Sequence, residues 1–184
     1  MKIIFALGNP GADYTKTRHN VGWYYVDAFA NARSVEFVAK SKFHAMVAEL
    51  SVAGEKCLLV KPTTFYNDTG MSARAIADFY KLSPEDFLII HDDLALPIGT
   101  LRTRIGGSSA GNNGIKSLNA HLGDMTARLR IGILDAEIPR DALDSVLGKF
   151  NSDETKRLKD MTSQVFEVFN DFIASKFQST THKK

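Results

Sequence analysis

Apolar positions fall along this chain in short, regular blocks. Ile3 to Leu7 is a compact apolar run closed by Gly8-Asn9-Pro10-Gly11, the pattern of a buried strand ending in a turn. Val21, Tyr24, Tyr25, Ala28 and Phe29 then recur at helical spacing, which predicts a first helix capped near Asn20. Phe43 to Leu50 and Lys56 to Lys61 read as two strands joined as a hairpin around Ala53-Gly54, and Pro62 stops the second. A helix from about Thr69 to Tyr80 gathers Ala73, Ile76, Ala77 and Tyr80 on one side. Phe87 to Ile90 is a short apolar strand running straight into His91-Asp92-Asp93.

The second half continues the alternation. Thr100 to Ile105 has strand periodicity, Asn113 to His121 is helical, and Ala127 to Ile133 is another strand. Pro139 suits the first turn of a helix to Leu147. A last helix starts near Asn151 with Glu154 placed for a capping box, and Leu158, Met161, Val165, Phe169, Phe172 and Ile173 form its stripe. Residues 178–184 carry no such pattern and read as a frayed tail. Helices interleaved with strands, some of them antiparallel, predict α/β architecture. The expectation is a single domain over 1–184, a twisted mixed (mostly parallel) β-sheet flanked by helices.

Composition narrows the class. A chain of 184 residues with 44% hydrophobic and 24% charged residues has enough apolar material for a core, which excludes a disordered chain. The only cysteine, Cys57, excludes an internal disulfide framework and suits a reducing compartment. No apolar run is long enough for a signal h-region or a bilayer span. A monomeric cytoplasmic protein without membrane contact is the expectation. Net charge is only +2, but between Thr100 and Arg130 the bases Arg102, Arg104, Lys116, Arg128 and Arg130 face one acid, Asp124. Such clustering suits a polyanion; on charge alone, a solvated face neutralised from elsewhere in the fold is the better reading.

Candidate chemistry concentrates in polar clusters. Residues 106–114 read GGSSAGNNG, without a large apolar side chain or a charge, so they add nothing to a core. Gly107 to Gly111 spells G-x-S-x-G, but a serine triad needs a later acid followed by a histidine. His121 precedes the next acids and His182 lies in the tail. A Walker A loop needs glycine directly before Lys116, where Ile115 stands. What remains is a loop that permits close backbone approach and brings Asn112 and Asn113 to a helix start. His19, just before the first helix, is by itself an ordinary surface or cap-neighbouring histidine. His91-Asp92 is weak as a metal motif, because no second histidine or paired cysteine supports it. A histidine beside a carboxylate is more economical as an acid–base pair, the carboxylate orienting the ring.

Four phrases together resemble one family, the bacterial-type peptidyl-tRNA hydrolases. They are LGNPGADYTKTRHNVG (Leu7 to Gly22), KPTTFYNDTG (Lys61 to Gly70), HDDLALPIG (His91 to Gly99) and GGSSAGNNGIKSL (Gly106 to Leu118), the last followed by RLRIGI. They stand in the family's order and spacing, and the similarity runs from Ile3 to about Phe150. The resemblance implies hydrolysis of the ester joining a peptide to the 3′ end of tRNA, with peptidyl-tRNA as partner and no metal or organic cofactor. By the same resemblance His19 is the general base and Asp92 the carboxylate that holds it. Asn9, Asn67 and Asn113 grip the peptide, with Tyr14 and Tyr66 as further substrate contacts. Arg102, Arg104, Lys116 and Arg130 face the tRNA. A non-catalytic RNA-binding protein of the same fold is the alternative. Two positions depart from the family pattern. Asn112 stands where a histidine is usual, and it cannot titrate near neutrality. Tyr66 stands where a methionine is common, and its bulk is expected to reshape the peptide channel.

Overall fold

Strand β1 (Lys2–Ala6) runs through the middle of the sheet, and Ile3 to Leu7 are all completely buried. The computed structural model of the protein describes residues 1–134 and 146–183. The remaining strands are β2 (Val38–Lys40), β3 (Ala45–Val52), β4 (Glu55–Pro62), β5 (Phe87–Pro97), β6 (Thr100–Ile105), β7 (Ala127–Leu134) and β8 (Thr181–Lys183). Their order is β2-β3-β4-β1-β5-β7-β6-β8. The centre, β4-β1-β5-β7, is parallel, and the strands outside it pair antiparallel.

Helices cover both faces. Helices α1 (Val21–Ala32), α4 (Ser152–Asp160) and α5 (Thr162–Ile173) pack with Ile4, Leu59 and Leu129 on one side. Helices α2 (Thr69–Tyr80) and α3 (Asn113–Leu122) pack with Ile3, Phe5 and Ile89 on the other. Neighbouring residues of β1 thus feed opposite cores, and a central strand buried on both faces must read as an unbroken apolar run. Gly22 lets the first turn of α1 close onto the strand ends: a Cβ there would lie 3.0 Å from the Leu7 carbonyl and 3.1 Å from that of Ile90. That contact puts the residues just before α1 beside the ends of β1 and β5.

Several expectations meet corrections. The α1 face that packs is Val21, Tyr25, Val26 and Phe29; Tyr24 and Ala28 are only half-buried. Asn20 caps no backbone group of α1 with its side chain, because tertiary contacts claim it. His91-Asp92-Asp93 does not follow β5 but lies inside it: His91, Asp92 and Asp93 pair with Arg130, Ile131 and Gly132 of β7. Backbone pairing continues the strand although its side chains turn polar. The final stripe is buried as expected, on two helices that break at Met161. The tail is not wholly frayed, since Thr181–Lys183 adds an antiparallel edge strand to β6. The helix expected from Pro139 to Leu147 falls largely outside the described residues.

Candidate active site

His19 sits in a single 3₁₀ turn, Arg18–Asn20, directly ahead of α1. The turn is anchored from a distant part of the chain. Arg18 N–H donates to the Gly148 carbonyl at 2.9 Å, and Thr17 bridges to Lys149. The Arg18 guanidinium donates to both oxygens of Glu154 at 2.8 Å, with both residues buried. Glu154 in turn closes the capping box of α4 with Asn151. On the other flank Asn20 clamps the Asn9 backbone, accepting from its N–H at 2.8 Å and donating to its carbonyl at 2.9 Å.

Asp92 approaches from β5, 4% exposed. His19 Nδ1 lies 3.0 Å from Asp92 Oδ2. A carboxylate accepts only, so Nδ1 carries the proton and Nε2 keeps a free lone pair. The other oxygen, Oδ1, accepts from the Tyr66 hydroxyl at 2.6 Å. Tyr66 is 2% exposed, and burial together with the neighbouring Asp92 charge holds its phenol well above its usual pKa, so it keeps that proton. Its ring lies parallel to His19, with centroids 3.5 Å apart and planes 14° off. Gly114 makes room for it: a Cβ there would sit 2.4 Å from the Tyr66 ring. Tyr66, expected as a channel residue, is therefore packed against His19 with its hydroxyl committed to Asp92.

The asparagines differ in posture. Asn9 Oδ1 accepts the Tyr66 N–H at 2.8 Å, which fixes its amide and leaves Nδ2 without a partner among the described residues. Asn67 and Asn113 are exposed on the cavity wall. Asn112 Oδ1 accepts from Ile115 N–H, capping α3, while its Nδ2 donates to the Tyr66 hydroxyl at 3.0 Å.

A cavity of about 1290 Å³ opens over these groups. Its wall includes Asn9, Tyr14, His19, Tyr66, Asn67, Asp92, Asn113, Arg104 and Arg130, together with the whole 106–113 loop. Arg102 and Lys116 lie outside that lining; Lys116 is exposed on α3. In register across β6 and β7, Arg102 opposes Arg130 and Arg104 opposes Arg128. Their partners differ. Arg130 pairs with Asp93 at 2.5 Å, Arg104 meets the carbonyls of Thr103 and Thr180, and Arg102 meets the Thr181 hydroxyl. Arg128 is 4% exposed and donates to the Gly107 and Ser108 carbonyls and to Asn119. It holds the glycine-rich loop, and burial pulls its pKa below the usual arginine range.

Among the described residues, no three His, Cys, Asp or Glu side chains gather as a metal site would need. The family model for peptidyl-tRNA hydrolase matches residues 3–184. The chain belongs to the peptidyl-tRNA hydrolase family. It is 46% identical over 159 residues to the peptidyl-tRNA hydrolase of Gloeobacter violaceus, covering 86% of this chain and 80% of that one. Against the peptidyl-tRNA hydrolase of Lactobacillus delbrueckii subsp. bulgaricus it is 42% identical, covering 96% of this chain and 95% of that one. The crystal structure of peptidyl-tRNA hydrolase from Acinetobacter baumannii superposes with a TM-score of 0.89 at 31% identity, covering 95% of this chain and 89% of that one.

Sequence reasoning missed three supports of the site. Asn20 looked like a helix cap, Glu154 like a cap alone, and Arg128 like one more surface base. Each is recruited by a partner remote in sequence, so local pattern carried no signal for them.

Proposed function

We propose that His19, oriented by Asp92, is the general base with which this member of the family cleaves the ester between a peptide and the 3′ end of tRNA. The observation that carries the reading is the 3.0 Å contact of His19 Nδ1 with Asp92, which leaves Nε2 of a cavity-lining histidine free to act as a base. An ester is already activated, so a positioned water suffices. Nε2 takes a proton from water as its oxygen attacks the carbonyl carbon. The tetrahedral oxyanion then collapses, the ribose oxygen leaves, and it recovers the proton from the imidazolium. A general base supplies about 10²–10⁴-fold, and amide donors at the oxyanion a further ~10²–10³-fold.

Asn9, Asn67 and Asn113 are the donors and acceptors assigned to the peptide, with Tyr14 beside them on the wall. A neutral amide both gives and accepts hydrogen bonds, which suits an acylated amino group better than a free ammonium. Arg102, Arg104, Lys116 and Arg130 are assigned to the tRNA phosphates, which they would hold through counterion release without reading sequence. Tyr66 is assigned to the base rather than to the peptide. The reading needs no metal or organic cofactor, and has the enzyme acting as a monomer in the cytoplasm, where translation makes its substrate. The non-catalytic alternative finds no support in the comparisons.

The deciding experiment incubates purified protein with N-acetylated aminoacyl-tRNA and follows release of the acyl group. The parent turns over, and His19→Ala lowers kcat by at least ~10²-fold with little change in tRNA affinity. Hydrolysis by His19→Ala at the parental rate would remove His19 as the base.

A further inference from the structure

We propose that Asn112 and Tyr66 form a hydrogen-bond relay that sets how strongly Asp92 draws on His19, making both of them positioning residues for the base. The proposal rests on the reading of His19 as base and Asp92 as its orienter.

Every member of the relay has its direction fixed by the geometry. Asn112 Oδ1 is occupied by the Ile115 N–H at 3.0 Å, so the atom facing Tyr66 is the amide nitrogen. The hydroxyl receives that bond and has one proton of its own. The proton goes to Asp92 Oδ1 at 2.6 Å. Asp92 then carries one donor on each oxygen, Tyr66 on Oδ1 and His19 on Oδ2. The two donors compete for one negative charge. A phenol proton this close withdraws charge from the carboxylate, and the carboxylate stabilises an imidazolium less. Tyr66 and Asp92 are 2% and 4% exposed, so bulk water does not dilute the effect. The Asn112 bond also polarises the hydroxyl and holds it in line.

The same side chain sets the position of the imidazole. The Tyr66 ring lies 3.5 Å from that of His19 and nearly parallel to it, so the hydroxyl and the ring act on two partners of one dyad. Asn112 and Tyr66 are thus in direct contact, at 3.0 Å. A histidine at 112 would offer Tyr66 a different donor, and a side chain without a hydroxyl at 66 would offer Asp92 none.

Tyr66→Phe keeps the ring and removes the relay. Its kcat/KM profile against pH, measured on N-acetylated aminoacyl-tRNA, is expected to move its acid limb upward by roughly half a unit or more, because Asp92 then favours the imidazolium more strongly. Asn112→Ser retains a capping oxygen for α3 and drops the amide donor; its profile moves the same way by less. Adding Asn112→Ser to Tyr66→Phe moves the limb no further, since the relay is already cut. Nitrogen-detected NMR titration of the His19 imidazole in the free protein gives a second readout, with the same upward displacement in Tyr66→Phe. If the parent fails to hydrolyse the substrate, the catalytic reading falls and the NMR titration alone judges the relay. Profiles and titrations of Tyr66→Phe that superimpose on the parental ones overturn it, as does an additive effect of the two substitutions.

Discussion

Arg18 donates from one guanidinium nitrogen to both carboxylate oxygens of Glu154, at 2.8 Å each and across 136 residues of chain. The pair lies next to His19 and is buried, Glu154 at 1% exposure and Arg18 at 7%. A buried pair broken on one side leaves a charge without compensation. Glu154→Ala is expected to lose about 3–5 kcal/mol of stability in urea unfolding, and to lower kcat in the protein that remains folded. The Arg18→Met, Glu154→Leu double variant removes both charges, so it should recover part of that stability while kcat stays low. A Glu154→Ala protein within about 1 kcal/mol of the parent would mean that the anchor of the His19 turn lies elsewhere.

How much of this was legible beforehand follows from the range of each interaction. Helix α2 and strand β6 match their expected ends because local periodicity decides them. The capping box at Asn151 and Glu154 was equally local, and it forms. The break between α4 and α5 was not legible, because the apolar stripe runs through Met161 unbroken and no Gly or Pro marks the turn. Strand β5 outran its apolar run because pairing with β7 is a backbone matter, and its buried polar end is where Asp92 sits. In the site, His19 and Asp92 were named from a resemblance. Their contact, and the packing of Tyr66 against the imidazole, depend on residues 73 and 47 positions from His19, beyond the reach of any window along the chain.

Gly114 tests that packing directly. A methyl group there would lie 2.4 Å from Cε1 and 2.6 Å from Cδ1 of Tyr66, closer than real Cβ contacts. The ring is enclosed, so it moves only by carrying its neighbours, His19 and Asp92, with it. Gly114→Ala should lower kcat by about tenfold or more while KM changes less, since a small misplacement of a base costs on that scale. The same overlap overpacks a buried site, so a lowered thermal midpoint is expected beside the kinetic loss, offset only in part by the better helix propensity of alanine. Parental kcat in Gly114→Ala would show that the ring has slack.

His91 gives a prediction about pH. It is 6% exposed, its Nδ1 bonds to the Asp92 carbonyl at 2.8 Å, and its Nε2 is buried without a partner among the described residues. Burial lowers its pKa below the ordinary 6.5, against the opposing pull of Asp92 and Asp93 and with the repulsion of Arg130. The folded state thus refuses a proton that the unfolded state accepts. Above about pH 6.5 the group has no effect on stability; as pH falls below that value the unfolded state gains, and stability declines toward the folded pKa. His91→Asn keeps a donor for the Asp92 carbonyl and does not titrate. Urea midpoints at pH 7.5 and 5.5 should fall further for the parent than for His91→Asn. The other four histidines are common to both proteins and cancel in the comparison. Equal declines would assign the loss to a different group.

Salt separates the arginines by role. Arg104 is half-buried on the cavity wall, its guanidinium donating to the Thr103 and Thr180 carbonyls, whereas Arg128 is buried beneath the loop that it holds. If Arg104 meets a phosphate, Arg104→Gln weakens tRNA binding and makes it less dependent on salt, the slope of log affinity against log salt shrinking by about 0.7–0.9. Arg128→Gln leaves the loop's carbonyls short of donors, so stability and kcat should drop while the salt slope stays parental. Arg102, outside the lining but across the ladder from Arg130, should follow Arg104 if the tRNA backbone continues along β6. Binding of a non-hydrolysable acyl-tRNA analogue between 50 and 200 mM salt, a range over which several phosphate contacts change affinity by orders of magnitude, reads all three. An unchanged slope in Arg104→Gln would move the tRNA off this face of the sheet, because the charge would then be serving only the backbone carbonyls of Thr103 and Thr180.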